Sequence, residues 1–166
     1  MSLGSNLGDS ERILRTALQR LAPLFDELRV GSLYRSLPLS PHSQPPFLNT
    51  AAAGPTTLDP DAILACAKEL ERLAGRRPGR RWGPRPLDID LLLHGQAVLR
   101  SPELTLPHPR LASRRFALAP LADVAPQLRV PPEGATVAEL LERLGPAAGA
   151  DEAVDVGWSG GECHPP

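Results

Sequence analysis

Residues 87–93 read Leu-Asp-Ile-Asp-Leu-Leu-Leu, and no other stretch of the chain restricts its fold so strongly. Seven mostly aliphatic residues, bounded by Pro86 and by a His94-Gly95 turn, predict a largely buried strand. Positions two apart on a strand point to one face, so Asp88 and Asp90 stand side by side. Bare, two such carboxylates repel each other and are costly to desolvate. A divalent cation removes the conflict. Ligation by oxygen alone favours Mg²⁺, and two ions can share such a pair and hold a polyphosphate. The plain alternative is a solvated strand face on which each Asp is bridged to a nearby Arg.

The rest of the chain supplies an order of elements. Asp9 or Ser10 can cap a helix whose apolar stripe is Ile13, Leu14, Ala17, Leu18 and Leu21, closed by Pro23. Residues 28–35 predict a strand. Four prolines make residues 36–46 an irregular loop, and residues 47–53 predict a second strand. Asp59 and Pro60 start another helix with Ile63, Cys66, Ala67, Leu70 and Ala74 on its stripe, and Gly75 stops it. After the Asp-bearing strand, residues 97–99 are expected to pair back. Residues 113–124 predict a short helix. Thr136 and Glu139 form a capping box before Leu140, Leu141 and Leu144. The order β-α-β-β-α-β followed by further helices predicts an α+β sandwich with helices on an antiparallel sheet. One domain over residues 1–145 is expected, with residues 146–166 as a disordered tail rich in Gly, Ala and acids.

Charge then narrows the function. Eighteen basic residues against 19 acidic ones leave a net charge of −1, which argues against a surface built to coat nucleic acid. All of the basic residues but Lys68 are Arg, whose planar fork suits phosphate. Cys66 and Cys163 lie far apart without a CxxC, so neither a disulfide framework nor a Cys-based zinc site is expected. No apolar run approaches membrane-spanning length, and residues 1–4 show no secretory signal. A cytoplasmic setting is the default.

Arg76, Arg77, Arg80, Arg81 and Arg85 crowd the loop just before the Asp pair. Guanidinium forks bind phosphate oxygens bidentately, so this loop suits a triphosphate beside a carboxylate-held metal. A solvated basic loop is the simpler reading, and Trp82 can also stack on a base. Phe47 and Asn49 share a strand face, where a flat heterocycle can lie on the ring and be read by the amide. Taken singly, Phe47 reads as core and Asn49 as a residue near a turn. His108, between two prolines, is a phosphate donor, a proton-transfer group or a turn residue, with Arg110, Arg114 and Arg115 close by. The G-S-N-L-G run at residues 4–8 lacks the lysine and the spacing of a phosphate loop.

Six ordered segments resemble one family. They are S-L-G-S-N-L-G-D at residues 2–9, L-Y-R-S at 33–36, Q-P-P-F-L-N at 44–49, R-W-G-P-R-P-L-D-I-D-L-L at 81–92, L-P-H-P-R at 106–110 and R-R-F-A-L-A-P-L at 114–121. Together, over about residues 2–145, the chain resembles the 6-hydroxymethyl-7,8-dihydropterin pyrophosphokinases. The resemblance implies a ferredoxin-like fold. It also implies transfer of the β,γ-pyrophosphoryl group of ATP to the pterin hydroxymethyl oxygen, with release of AMP. It gives two Mg²⁺ ions to Asp88 and Asp90, and a catalytic part to these two together with Arg76 and Arg85. It carries ATP-binding roles onto Lys68, Glu71, Arg81, Trp82, Arg85, Leu91, Thr105, His108 and Arg114. Pterin binding falls to Ser36, Leu39, Phe47, Asn49 and Phe116, with the two phenylalanines sandwiching the ring.

This chemistry needs alignment and charge neutralisation more than covalent help. Loops 36–46 and 76–85 are the expected lids that exclude water. No side chain is an obvious general base; a metal-polarised hydroxyl or Asp90 would serve. A monomer acting on small molecules, with neither nucleic acid nor membrane as partner, is expected. Three departures stand out. Only residues 1–3 precede Gly4 where the family has a longer first strand, so the central strand is expected either to be clipped or to start upstream. Arg76-Arg77-Pro78 replaces an R-x-R pattern, which leaves the part of Arg77 open. The tail has no family counterpart.

Overall fold

A computed structural model describes residues 1–38, 40, 43–77, 83–146 and 153–155. The sheet is built from β1 (Ser2–Ser5), β2 (Arg29–Val30), β3 (Tyr34–Ser36), β4 (Phe47–Ala53) and β5 (Asp88–Asp90). Helices α1 (Ser10–Leu21), α2 (Pro60–Leu73), α3 (Arg115–Val124) and α4 (Val137–Arg143) pack around it. Two small ribbons, β6 (Leu99–Arg100) with β7 (Thr105–Leu106) and β8 (Arg129–Val130) with β9 (Ala135–Thr136), lie off the main sheet. A last strand, β10 (Ala153–Asp155), completes the set. The architecture is α+β, as the sequence predicts.

Every pairing in the sheet is antiparallel, in the order β10-β3-β4-β1-β5, with β2 also on β4. The buried strand β1 is therefore central, and β5 closes one end of the sheet. Met1 extends the pairing, its carbonyl accepting the Ala52 N–H at 3.0 Å. Strand β10 falls within the stretch expected to be a tail and pairs Ala153 with Ser36. Most of that stretch lies outside the described residues, as do Leu39, Arg81 and Trp82.

Alternation on the strands makes two cores. Leu3, Ala52 and Ile89 face α1 and α2, where Leu14, Leu18, Leu21, Ile63 and Ala67 are buried. Ala51 faces α3 and α4, among Leu118, Leu121, Val137 and Leu140. Local chemistry starts the helices. The Asp9 carboxylate accepts the Arg12 N–H at 3.2 Å, and Asp59 accepts that of Ala62 at 2.7 Å. Thr136 and Glu139 form the expected capping box.

The strand predicted over 28–35 is split into β2 and β3. Gly31 sits at the break, where a Cβ would come within 2.2 Å of the Pro120 carbonyl oxygen, so the chain bends there to meet α3. The strand predicted over 87–93 is regular only at Asp88–Asp90, and Leu92 beyond it accepts the His108 backbone N–H at 2.9 Å. The pairing expected at 97–99 is made by β6 with β7 instead.

Candidate active site

Register brings the site together. Gly4 on β1 is paired with Asn49 on β4 and with Asp88 on β5; Ser2 is paired with Ala51 and Asp90. Paired residues share a face, so Asn49, Gly4 and Asp88 form one row, with no side chain in the middle. The neighbouring row ends on Asp90, and Phe47 lies two residues before Asn49. This is the face that α3 partly covers, and Phe116 projects from the first turn of α3.

One cavity opens here. Its walls include Ser36, Phe47, Asn49, Arg85, Asp88, Asp90, Arg114 and Phe116, all predicted from the sequence. Gly4, Gln44 and Arg110 also line it and were not assigned a role there. Asn49 is buried, at 5% exposed, and its Nδ2 donates to Ser36 Oγ at 2.8 Å. Its Oδ1 faces the gap above Gly4, because a Cβ there would lie 3.0 Å away. The Arg114 guanidinium carbon lies 5.5 Å from the centroid of the Phe116 ring, a cation–π arrangement.

Arginines crowd the carboxylates. Arg76 Nη1 and Arg85 Nη1 both donate to Asp88 Oδ1, at 2.6 and 2.8 Å. Arg114 Nη1 donates to Asp90 Oδ2 at 3.0 Å, with His108 Nε2 at 3.9 Å from the same oxygen. The plain alternative, each Asp bridged to Arg, thus describes part of the arrangement. It uses one oxygen of each carboxylate: Asp88 Oδ2 and Asp90 Oδ1 take none of these bonds. The side chains remain 27% and 31% exposed, toward the cavity. Burial pushes the His108 imidazole below its ordinary pKa, with Arg114 and Arg110 adding to the shift and Asp90 opposing it.

The residue types fit a hard cation. Among the described residues no group of three or more His, Cys, Asp or Glu is placed to hold a metal. A carboxylate pair with free oxygens is the donor set from which Mg²⁺ is bound when substrate phosphates supply further ligands.

Other predicted residues stand outside the cavity lining. Glu71 is buried on α2, 4% exposed, and is tied to Lys68 and Arg76. Leu91 packs into the first core, and Thr105 lies half-buried on β7. Arg76 reaches the site through Asp88.

Sequence reasoning missed Asn6, in the run set aside as a poor phosphate loop. It is buried. Its Nδ2 donates to Gln44 Oε1 and to the Pro45 carbonyl, both at 3.0 Å, while its Oδ1 accepts the Arg85 N–H at 2.8 Å. One side chain thereby joins the loop before β4 to the loop before β5. The available signal was a polar residue directly after a buried strand. Among the described residues no helix is long and apolar enough to cross a membrane.

Residues 1–126 match the family model for 7,8-dihydro-6-hydroxymethylpterin-pyrophosphokinase. A 2-amino-4-hydroxy-6-hydroxymethyldihydropteridine pyrophosphokinase of Pseudomonas aeruginosa is 42% identical over 143 residues, 85% of this chain and 88% of that protein. One of the same name from Bacillus subtilis is 38% identical over 130 residues, 77% of this chain and 78% of that protein. The mitochondrial folate synthesis bifunctional protein of Pisum sativum is 41% identical over 125 residues, 75% of this chain but 24% of the plant protein. The chain belongs to the 7,8-dihydro-6-hydroxymethylpterin-pyrophosphokinase family.

Proposed function

We propose that the protein transfers the β,γ-pyrophosphoryl group of ATP to the hydroxymethyl oxygen of 6-hydroxymethyl-7,8-dihydropterin, releasing AMP, as a step of folate biosynthesis. The observation that carries this reading is one cavity wall shared by two aromatic rings and an amide on one side and two carboxylates among arginines on the other. A flat, hydrogen-bonding heterocycle and a polyphosphate are the ligands such a wall suits.

The pterin would lie between Phe47 and Phe116 and be read by Asn49, whose Nδ2 is engaged by Ser36 and whose Oδ1 is left to accept. Leu39 would add backbone contacts from the same loop. Asp88 and Asp90 would hold two Mg²⁺ ions, which when bound offset the charge of the phosphate oxygens. Arg85, Arg114, Arg81 and Trp82 would grip the nucleotide; Arg76 would orient Asp88; His108, its pKa lowered by burial, would donate a hydrogen bond to a phosphate. Lys68, Leu91 and Thr105 would border the nucleotide.

In the reaction the pterin oxygen forms a bond to the β-phosphorus as the bond from that phosphorus to the α–β bridging oxygen breaks. AMP leaves, and the hydroxyl proton is released. The order β3-β4-β1-β5, with α1 and α2 on one face, supports a ferredoxin-like arrangement for the domain of residues 1–145. A monomer remains the expected working unit.

The test is AMP formation from ATP, Mg²⁺ and the pterin. The reading requires AMP only when both substrates are present. No AMP, or AMP from ATP alone, overturns it; RNA binding with a steep salt dependence would mark a nucleic-acid module instead.

A further inference from the structure

Glu71 is the acidic side chain that is buried among the described residues. A carboxylate loses so much hydration on burial that its oxygens must be fully engaged. Here Oε1 accepts the Ile89 backbone N–H at 2.8 Å and pairs with Arg76, while Lys68 Nζ lies 3.1 Å from Oε2.

Ile89 is the middle residue of the Asp88-Ile89-Asp90 strand. Among the described residues strand β5 is at the end of the sheet, paired with β1 on one side only. The Ile89 N–H points away from β1 to the open edge, where a backbone donor needs a partner. Helix α2 supplies that partner through Glu71. The same carboxylate oxygen holds Arg76, whose Nη1 also contacts Asp88 Oδ1 at 2.6 Å. Glu71 thus grips the Asp-bearing strand twice, through its backbone and through an arginine. It does not line the cavity.

We propose that Glu71 is a positioning residue that fixes β5 at its edge and Arg76 against Asp88, so that both aspartates are presented in register to the cavity. The proposal rests on reading Asp88 and Asp90 as the metal-holding pair. It assigns Glu71 an action through the strand, in place of direct contact with the nucleotide.

Two variants of the full chain separate the parts of this action. Glu71→Gln keeps an acceptor for Ile89 but loses the charge that holds Arg76; Glu71→Ala loses both. Amide exchange at Ile89, followed by NMR without substrate or metal, is expected to stay slow in Glu71→Gln and to rise about tenfold or more in Glu71→Ala. The Mg²⁺ concentration for half-maximal AMP formation is expected to rise several-fold in both variants, with KM for the pterin unchanged. Unchanged Ile89 exchange in Glu71→Ala overturns the proposal. So does a raised KM for ATP with Mg²⁺ dependence intact, which marks a nucleotide contact. Should Glu71→Ala fail to fold, Glu71→Gln decides, and an unshifted Mg²⁺ dependence overturns the proposal. The exchange result does not depend on turnover, so a wild-type chain that makes no AMP would sink the functional reading and leave the strand clamp measurable.

Discussion

Asn6 and Arg85 are joined by a reciprocal pair of hydrogen bonds: the Asn6 N–H donates to the Arg85 carbonyl at 3.0 Å, and Asn6 Oδ1 accepts the Arg85 N–H at 2.8 Å. Arg85 then reaches Asp88 with its guanidinium. The residue directly after the first strand therefore sets where an arginine of the loop before β5 meets the carboxylates.

Asn6→Ala leaves the Arg85 N–H and the Pro45 carbonyl without their side-chain partner. A buried group left unsatisfied costs about 1–3 kcal/mol. The variant is expected to unfold at lower urea by about that amount and to lose AMP formation beyond what stability explains. Urea titration beside the coupled AMP assay checks both, and a wild-type midpoint would contradict the bridge.

Asp88→Ala and Asp90→Ala are each expected to reduce AMP formation at least about a hundredfold. Stability should change by no more than about 1 kcal/mol, because the ion pairs are partly open to solvent, with Asp88 27% exposed. A chelator should abolish wild-type turnover and excess Mg²⁺ restore it. Near-normal turnover in either variant counts against the metal assignment.

What the sequence discloses is mostly local. Asp9, Asp59 and the Thr136–Glu139 box are read correctly because a cap and its partner lie within three residues. The face shared by Asp88 and Asp90 follows from strand period alone. Asn6 and Glu71 escape this reading because their partners are distant in the chain: Gln44 is 38 residues and Arg85 79 residues from Asn6, and Ile89 is 18 from Glu71. Helical spacing gives Leu70 and Ala74 to the stripe of α2; it cannot show that Glu71 takes a buried place because cations and a strand edge surround it. The split at Gly31 likewise needs Pro120, from a helix that the local pattern does not bring near.

The Thr136–Glu139 box gives a pH-dependent term. The Thr136 backbone N–H holds the Glu139 carboxyl below its ordinary pKa. A depressed folded pKa means that the stabilisation is present above the unfolded value and is lost as pH falls through the folded one. Glu139→Gln should therefore be less stable than wild type at neutral pH, and the difference should vanish in acid. Thr136→Ala should cost about 1 kcal/mol. Thermal unfolding across pH checks the sign.

Phe116→Ala removes one wall of the proposed pterin site. Stacking on an aromatic ring contributes about 0.5–1.5 kcal/mol beyond area burial, so pterin affinity should fall about tenfold. Arg114 also loses the ring beneath it, so nucleotide binding should weaken, but less. Calorimetric titration with each ligand separates the two, and equal losses contradict the stacking role.

Gly4 is the blank position between Asn49 and Asp88, and filling it tests whether the row is a binding surface. A Cβ there would stand 3.0 Å from Asn49 Oδ1 and 3.7 Å from Phe47 Cδ1. The amide must give way by a few tenths of an ångström while the ring contact is an ordinary one, and the amide belongs to the proposed pterin face. The nearest carboxylate across the row is Asp88, which the added methyl does not approach within 4 Å. Gly4→Ala is thus expected to raise the pterin KM several-fold while the ATP KM and the Mg²⁺ dependence hold. Gly4→Val, which carries two more methyls into the same gap, should lose pterin binding altogether yet still bind nucleotide. A Gly4→Ala enzyme with an unchanged pterin KM would show that the heterocycle lies elsewhere on the sheet.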